Sequence, residues 1–435
     1  MRRSLTEIIS ENEFLKLAQE HSRNFLKIYN FLQKEHKPHT RRFFAHLIGE
    51  SEELENFLDD HGARENKTWY FFGELVACIR NLAKVAFILD HMLNRYRAYG
   101  ISDDEAERFL KEARNVTIFL DKTITSLFEE IRRESVRLGN RIPRGTLKED
   151  SFGEVYPQKR LPHDIDEEEA SDARKALTKI ATQYLGVISK VEHFGWNHRT
   201  RYSENLKGLV PYKIDEEKSR EVMSLIHNLQ STYDHYIRRT PLETQDKNLK
   251  RFRGYISMPL HLLTMVNWLA HLYERHILTA RHIEERMEIT FLIDESRLLE
   301  IMVNFFLFHA NRYLQMGKEL AHAILGEYTE VVTCELKVPE KLGFHLRPAT
   351  LIAKLAKYYG TKLSMIVDGR EYDASNVLSI AMAAGLIARK GYKTVLFEGD
   401  KRTLQDLSLL SQCNFGEDEN GNPATLPKDL THIWT

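Results

Sequence analysis

The chain holds 435 residues, 42% hydrophobic and 29% charged, a composition that excludes a disordered or fibrous protein and leaves room for more than one domain. Its 62 Lys and Arg against 63 Asp and Glu give a formal charge of -1, so no overall field draws it onto nucleic acid or anionic lipid. Three scattered cysteines, Cys78, Cys334 and Cys413, exclude a CxxC metal pair and an even disulfide framework, and fit a reducing, cytoplasmic compartment. Charges at Glu7, Glu11, Glu13 and Lys16 interrupt the start of the chain, so no signal peptide is expected there. No window reaches the roughly 18 uncharged residues of a membrane span.

From Ser4 to about Gly326 apolar residues recur at spacings of three and four between charges, which predicts an all-α region. Ser102-Asp103-Asp104-Glu105 reads as a capping box, in which the Ser and Glu side chains satisfy unpaired backbone N–H groups, and it opens a helix to about Leu138. Gly139, Pro143, Gly145, Gly153, Pro157 and Pro162 then break any helix, so 139–165 is expected to be a loop between helical subdomains 1–138 and 166–326. Later helices are expected at about 166–194, 215–238, 242–276, 279–291 and 294–325, with Pro259 kinking one of them. Phe71-Phe72-Gly73-Glu74-Leu75 and Phe252-Arg253-Gly254-Tyr255-Ile256 hint at a duplication, although two amphipathic helices after an aromatic-Gly pair also match by chance.

Beyond Gly326 the period changes. Val332, Cys334, Leu336 and Val338 alternate with polar residues, the signature of a half-buried strand. Gly343-Phe344-His345-Leu346-Arg347-Pro348-Ala349-Thr350 then opens a helical run, and two strands at about 362–367 and 370–373 flank Asp368-Gly369, a dipeptide suited to positive φ in a tight hairpin. A helix at about 375–388, a strand at about 392–398 and a helix at about 402–412 complete a β-α-β-β-α-β-α order over 331–412. The polar tail 413–435 is expected to be loosely ordered.

Between a strand and a helix, His345 falls at a helix N-terminus, where unpaired N–H groups and the helix dipole favour an anion. A neutral imidazole is a nucleophile near pH 7 and its phosphoramidate is labile, which suits a reversible phosphoryl carrier. Arg347 supplies planar donors for a phosphate, and Pro348 stiffens the first turn without losing a needed N–H. A capping histidine at a surface turn is the alternative reading of the same spacing.

The stretch from about Val331 to Gln412 resembles the HPr family, the histidine phosphocarrier of the bacterial phosphoenolpyruvate-dependent sugar phosphotransferase system. The resemblance rests on Gly343-x-His345-x-Arg347-Pro348-Ala349, on Asp368-Gly369 before the second helix, and on Lys390-Gly391 before the last strand. It implies a small α+β open-faced β-sandwich after the helical region. It also implies phosphorylation of His345 on Nδ1 by phospho-enzyme I, steadied by Arg347, with phosphoenolpyruvate the indirect phosphoryl source and no bound cofactor. The chain would then be a phosphoryl carrier with a phosphohistidine intermediate rather than a conventional enzyme. Phe344, Leu346, Val377 and Leu378 would form the docking face, for enzyme I and for an enzyme IIA-type acceptor or a regulatory target.

Two departures stand out. The helix-opening serine phosphorylated by a regulatory kinase in Gram-positive members is replaced by Asn376, with Ser375 and Ser379 one and three residues away and pointing elsewhere. The stretch Ala383 to Gly391 also runs about three residues longer than usual, which bears on docking rather than on His345 or Arg347.

Residues 1–326 resemble no known family. His193-Phe194-Gly195-Trp196-Asn197-His198-Arg199-Thr200-Arg201-Tyr202 and the patch His39, Arg41, Arg42, His46 gather basic and aromatic residues, but chance clustering at helix ends accounts for both better than a nucleic-acid contact does. Asp90-His91, Glu192-His193 and Glu274-Arg275-His276 lack the i, i+3 spacing of a di-metal bundle, so no metal site is expected. Cys78 reads as a buried small hydrophobe. The helical region is therefore expected to relay or regulate partner binding under control of His345. The alternatives are a helical enzyme with a sensor domain, or a contact scaffold.

Overall fold

The computed structural model describes residues 8–34, 39–101, 103–148, 152–153, 170–196, 199–200, 203–279, 283–339, 341–418, 422–426 and 430. The chain forms two compact units: 1–165, 191–227 and 253–314 in one, and 166–190, 228–252 and 315–435 in the other.

The N-terminal region is mostly helical. Its helices are α1 (Glu11–His21), α2 (Arg23–Leu32), α3 (Arg41–Asp60), α4 (Tyr70–Arg95), α5 (Asp103–Leu138), α6 (Ala170–His193), α7 (Ser203–Leu209), α8 (Glu216–Tyr236), α9 (Pro241–Gln245), α10 (Lys247–Leu272), α11 (Ile283–Ile293), α12 (Glu295–Glu300) and α13 (Phe308–Tyr328). Ser10 and Glu13 form a capping box at α1, and the Thr40 hydroxyl caps α3, each satisfying N–H groups that the helix itself leaves unpaired. The apolar stripes bury Phe25, Phe43, Phe44, Phe72, Phe109 and Phe128 in the first unit.

Two long helices expected from the sequence are interrupted. The 242–276 stretch divides into α9, α10 and a π-helical segment at Tyr273–Leu278, and the 294–325 stretch contains a second π segment at Ile301–Leu307 between α12 and α13. A π turn adds one residue and keeps apolar side chains on the buried side, so hydrophobic spacing does not expose it. Pro259 lies inside α10. Ser102 of the expected capping box lies outside the described residues, as do 149–151 and 154–165 of the expected loop and 166–169 of the helix expected after it. The described part of that loop is pinned: Asn30 donates to the Pro143 and Gly145 carbonyls, and Phe152 is buried.

In the second unit, β1 (Val331–Lys337), α14 (Leu346–Tyr359), β2 (Leu363–Val367), β3 (Arg370–Asp373), α15 (Val377–Lys390), β4 (Thr394–Asp400) and α16 (Lys401–Gln412) follow in the expected order. The four strands make an antiparallel sheet in the order β1-β4-β2-β3, with Leu336 opposite Val395 and Met365 opposite Phe397. Asp368 and Gly369 both adopt positive φ, at 55° and 73°, and close the β2–β3 hairpin. Ile352, Leu355, Ile380 and Leu407 from the three helices join Met365 and Phe397 in one core, which makes the open-faced α+β sandwich. At the end of α14, Gly360 (φ 64°) lies against Leu185 and Leu325, and the Thr182 hydroxyl donates to the Tyr359 carbonyl.

The tail departs from expectation. Its described part is ordered by burial rather than left loose: Phe415 is 1% exposed and Glu417 4%. Asn414, Phe415 and Gly416 turn through successive positive φ values of 45°, 54° and 76°, and Glu417 then pairs with Pro423 in an antiparallel bridge. A second hydrogen bond, Ala424 N–H to the Gly416 carbonyl, closes the loop.

Candidate functional site

His345 is the N-cap of α14, with extended backbone at φ -73°, and its carbonyl accepts from the Ala349 N–H to start the helix. Gly343, at φ 61°, lets the chain turn from the strand into this position, and the His345 N–H donates back to the Gly343 carbonyl. The imidazole makes no side-chain cap to its own helix. As N-cap, His345 precedes Leu346 and Arg347, whose N–H groups an α-helix leaves without intrahelical partners.

The imidazole is about one-third exposed, and its Nε2 lies 2.5 Å from Oε1 of Glu417, whose side chain is 1% exposed. Arg347 donates from Nε to the Gly416 carbonyl at 3.0 Å. The two residues of the His-x-Arg motif therefore contact adjacent residues of the folded-back tail. Pro348 is buried in the first turn of α14. Neither Glu417 nor Gly416 was anticipated from the sequence. A phenylalanine inside Asn414-Phe415-Gly416, a turn sequence within an otherwise polar tail, is the one local signal of that fold-back.

The expected docking residues separate into two groups. Leu346 and Leu378 are 73% and 70% exposed, and Met382, one turn beyond Leu378 on α15, is 65% exposed. Val377 is half-buried against the core. Phe344 is a correction: it is 1% exposed, its ring edge-on to Phe397 and Phe415, so it anchors the histidine turn from below and offers no surface. Asn376 caps α15, accepting from the Leu378 and Ser379 N–H groups, while the Ser375 hydroxyl donates to Asp373.

Residues 332–400 match the family described as the PTS HPr component phosphorylation site. The fold and the placed motif define a histidine-bearing open-faced sandwich, and the match identifies this segment as an HPr-type domain. No curated protein and no solved structure matches the chain.

In the helical region, described members of the basic and aromatic patches make contacts within the helices. His39 pairs with Asp121 and stacks on Phe43, His46 lies near Glu50 and Phe152, and Arg41 contacts His91 and the Phe87 ring. Arg199 and Thr200 line a cavity of about 940 Å³ with Arg108, Arg297, Glu300 and Asn304. Its guanidinium groups each face a carboxylate: Arg199 and Arg108 share Glu112, and Arg297 donates to Glu300. Residues 197–198 and 201–202 of that aromatic stretch lie outside the described residues.

Two buried histidines each meet a carboxylate. His276 meets Glu74 at 2.8 Å and His309 meets Glu112 at 3.1 Å. Among the described residues no group of three or more His, Cys, Asp or Glu could hold a metal ion, and no helix is long and apolar enough to cross a membrane. Cys78 is fully buried, and desolvation pushes its thiol well above the usual range, so it carries no thiolate.

Proposed function

We propose that the chain is a phosphoryl carrier that takes a phosphoryl group on Nδ1 of His345 from a phospho-enzyme I-type donor charged by phosphoenolpyruvate. The observation that carries this reading is a histidine at the N-terminus of α14 within a segment of the HPr family. Nε2 faces Glu417, which leaves Nδ1 for the phosphorus, and a dianion on Nδ1 is favoured by the helix N-terminus beside it. Arg347 can exchange its bond to the Gly416 carbonyl for a stronger, charge-assisted one to phosphate. Leu346, Leu378 and Met382 supply an exposed apolar face of the kind a donor or acceptor protein covers.

The 326 residues before the domain exceed what carriage alone requires. The proposed role of the helical region is therefore to bind a partner under control of the phosphorylation state, in the cytoplasm, through an added negative charge that makes or breaks arginine contacts. Limited proteolysis and solution scattering of the two states test that role, and identical patterns in both would refute it.

The direct test incubates the chain with enzyme I, Mg²⁺ and labelled phosphoenolpyruvate beside His345→Ala. Acid-labile label on the wild type and none on the variant is the expected result. An unlabelled wild type, with an enzyme I that charges an ordinary HPr, would overturn the carrier reading.

A further inference from the structure

A neutral imidazole carries one N–H and one lone pair, and only the nitrogen with the lone pair can attack phosphorus. In water the two tautomers exchange, so a phosphoacceptor gains from a group that holds the proton on the other nitrogen. Glu417 is placed to do this. Its carboxylate lies 2.5 Å from Nε2 of His345 and is shielded from solvent, where a carboxylate without a donor would be costly to bury. The contact spans 72 residues of sequence, and the fold holds both ends of it. Phe344, immediately before the histidine, packs on Phe415, two residues before the glutamate. The Glu417–Pro423 bridge, together with the Asp418 N–H donating to the Asn422 carbonyl, fixes the backbone that carries the carboxylate.

We propose that Glu417 is the positioning residue of the phosphoacceptor, holding the proton on Nε2 so that the Nδ1 lone pair is the nucleophile. This rests on His345 being the site of phosphorylation. The Nδ1–P bond forms as the P–N bond to the donor's phosphohistidine breaks, and that electron pair returns to the donor nitrogen. The proton on Nε2 stays in place throughout. The His345 ring becomes cationic as the Nδ1–P bond forms, and the carboxylate of Glu417 faces that charge, the role the carboxylate of a Ser-His-Asp triad plays toward its imidazolium. Onward transfer reverses the step: the electron pair returns to Nδ1, and a neutral ring departs from phosphorus without first having to gain a proton. With the proton on Nδ1 instead, the ring would have to release it before every attack.

The test uses the full chain labelled with ¹⁵N-histidine, with His345→Ala to assign the resonance, and compares wild type, Glu417→Gln and Glu417→Asp. The tautomer is read by long-range ¹H–¹⁵N correlation, and the initial rate of labelling is measured with enzyme I and phosphoenolpyruvate. The wild type is expected as the Nε2–H tautomer. Glu417→Gln, matched in melting temperature, is expected to show a mixed or Nδ1–H tautomer and labelling slower by at least about 10²-fold, since a lost tautomer-holding carboxylate costs up to about 10⁴ in a Ser-His-Asp triad, with partial recovery in Glu417→Asp. An unchanged tautomer and rate in Glu417→Gln would refute the proposal while leaving His345 as the acceptor. Faster labelling would refute it too, since the tail would then only cover the histidine. A wild type that takes no label overturns the carrier reading itself.

Discussion

Arg347 has a partner in the structure, because its Nε donates to the Gly416 carbonyl at 3.0 Å. A neutral carbonyl binds a guanidinium more weakly than a phosphate does, and a planar fork can satisfy two phosphate oxygens at once. On the proposed carrier reading, Arg347 is held by a contact that a phosphate would displace. Arg347→Ala is expected to lower the rate of phosphoryl acceptance by about 10- to 100-fold, the equivalent of one charge-assisted hydrogen bond. Arg347→Lys keeps the charge but loses the fork and should fall between. Initial rates of labelling check both, and a Lys variant as slow as Ala would show that fork geometry, rather than charge, is what matters.

At the scale of elements, close approach of backbone decides what sequence patterns alone leave open. Gly254 in α10 lies so near Tyr99 that a Cβ would fall 2.0 Å from the Tyr99 carbonyl oxygen, whereas the glycine of the similar stretch, Gly73, has its nearest neighbour at 4.0 Å. The two aromatic-Gly stretches thus do different things, and the shared pattern reflects composition. Gly254→Ala must push the helix away from the carbonyl, at a cost of about 3 kcal/mol, while Gly73→Ala should be close to neutral. Chemical denaturation of the two variants checks the contrast, and equal midpoints would contradict it. The HPr-type domain was legible almost throughout, since alternation in β1, Asp368-Gly369 in the hairpin and His-x-Arg-Pro at α14 are local signals. The π segments at Tyr273–Leu278 and Ile301–Leu307 were not, because one extra residue per turn leaves apolar spacing intact. The Glu417 contact was not legible either. A polar tail folds back through one turn and one buried phenylalanine, and its partner is 72 residues away, beyond any periodicity.

At the scale of the molecule, the described histidines that burial lowers furthest all fall in one unit. Burial, as the leading cause, lowers His91, His261 and His309 to about 4, and all three belong to the unit formed by 1–165, 191–227 and 253–314. His309 is the clearest case. It is fully buried against Phe109 and Phe305, its Nε2–H donates to Glu112, and its Nδ1 has no partner to accept a second proton's charge. The unfolded chain protonates such a histidine below about 6.5, but the folded chain resists until about 4, so the unfolded state binds more protons throughout that interval. Stability from this group is therefore complete above about pH 6.5 and is lost as pH falls toward 4. For His309 the difference is worth about 3 kcal/mol. His309→Gln, which retains a donor for Glu112, should flatten the decline in melting temperature between pH 6.5 and 4. Hydrogen exchange at pH 5 should show amides of the first unit opening before those of the HPr-type domain. A variant with the wild-type pH slope, or a domain that opens first, would place the acid sensitivity elsewhere.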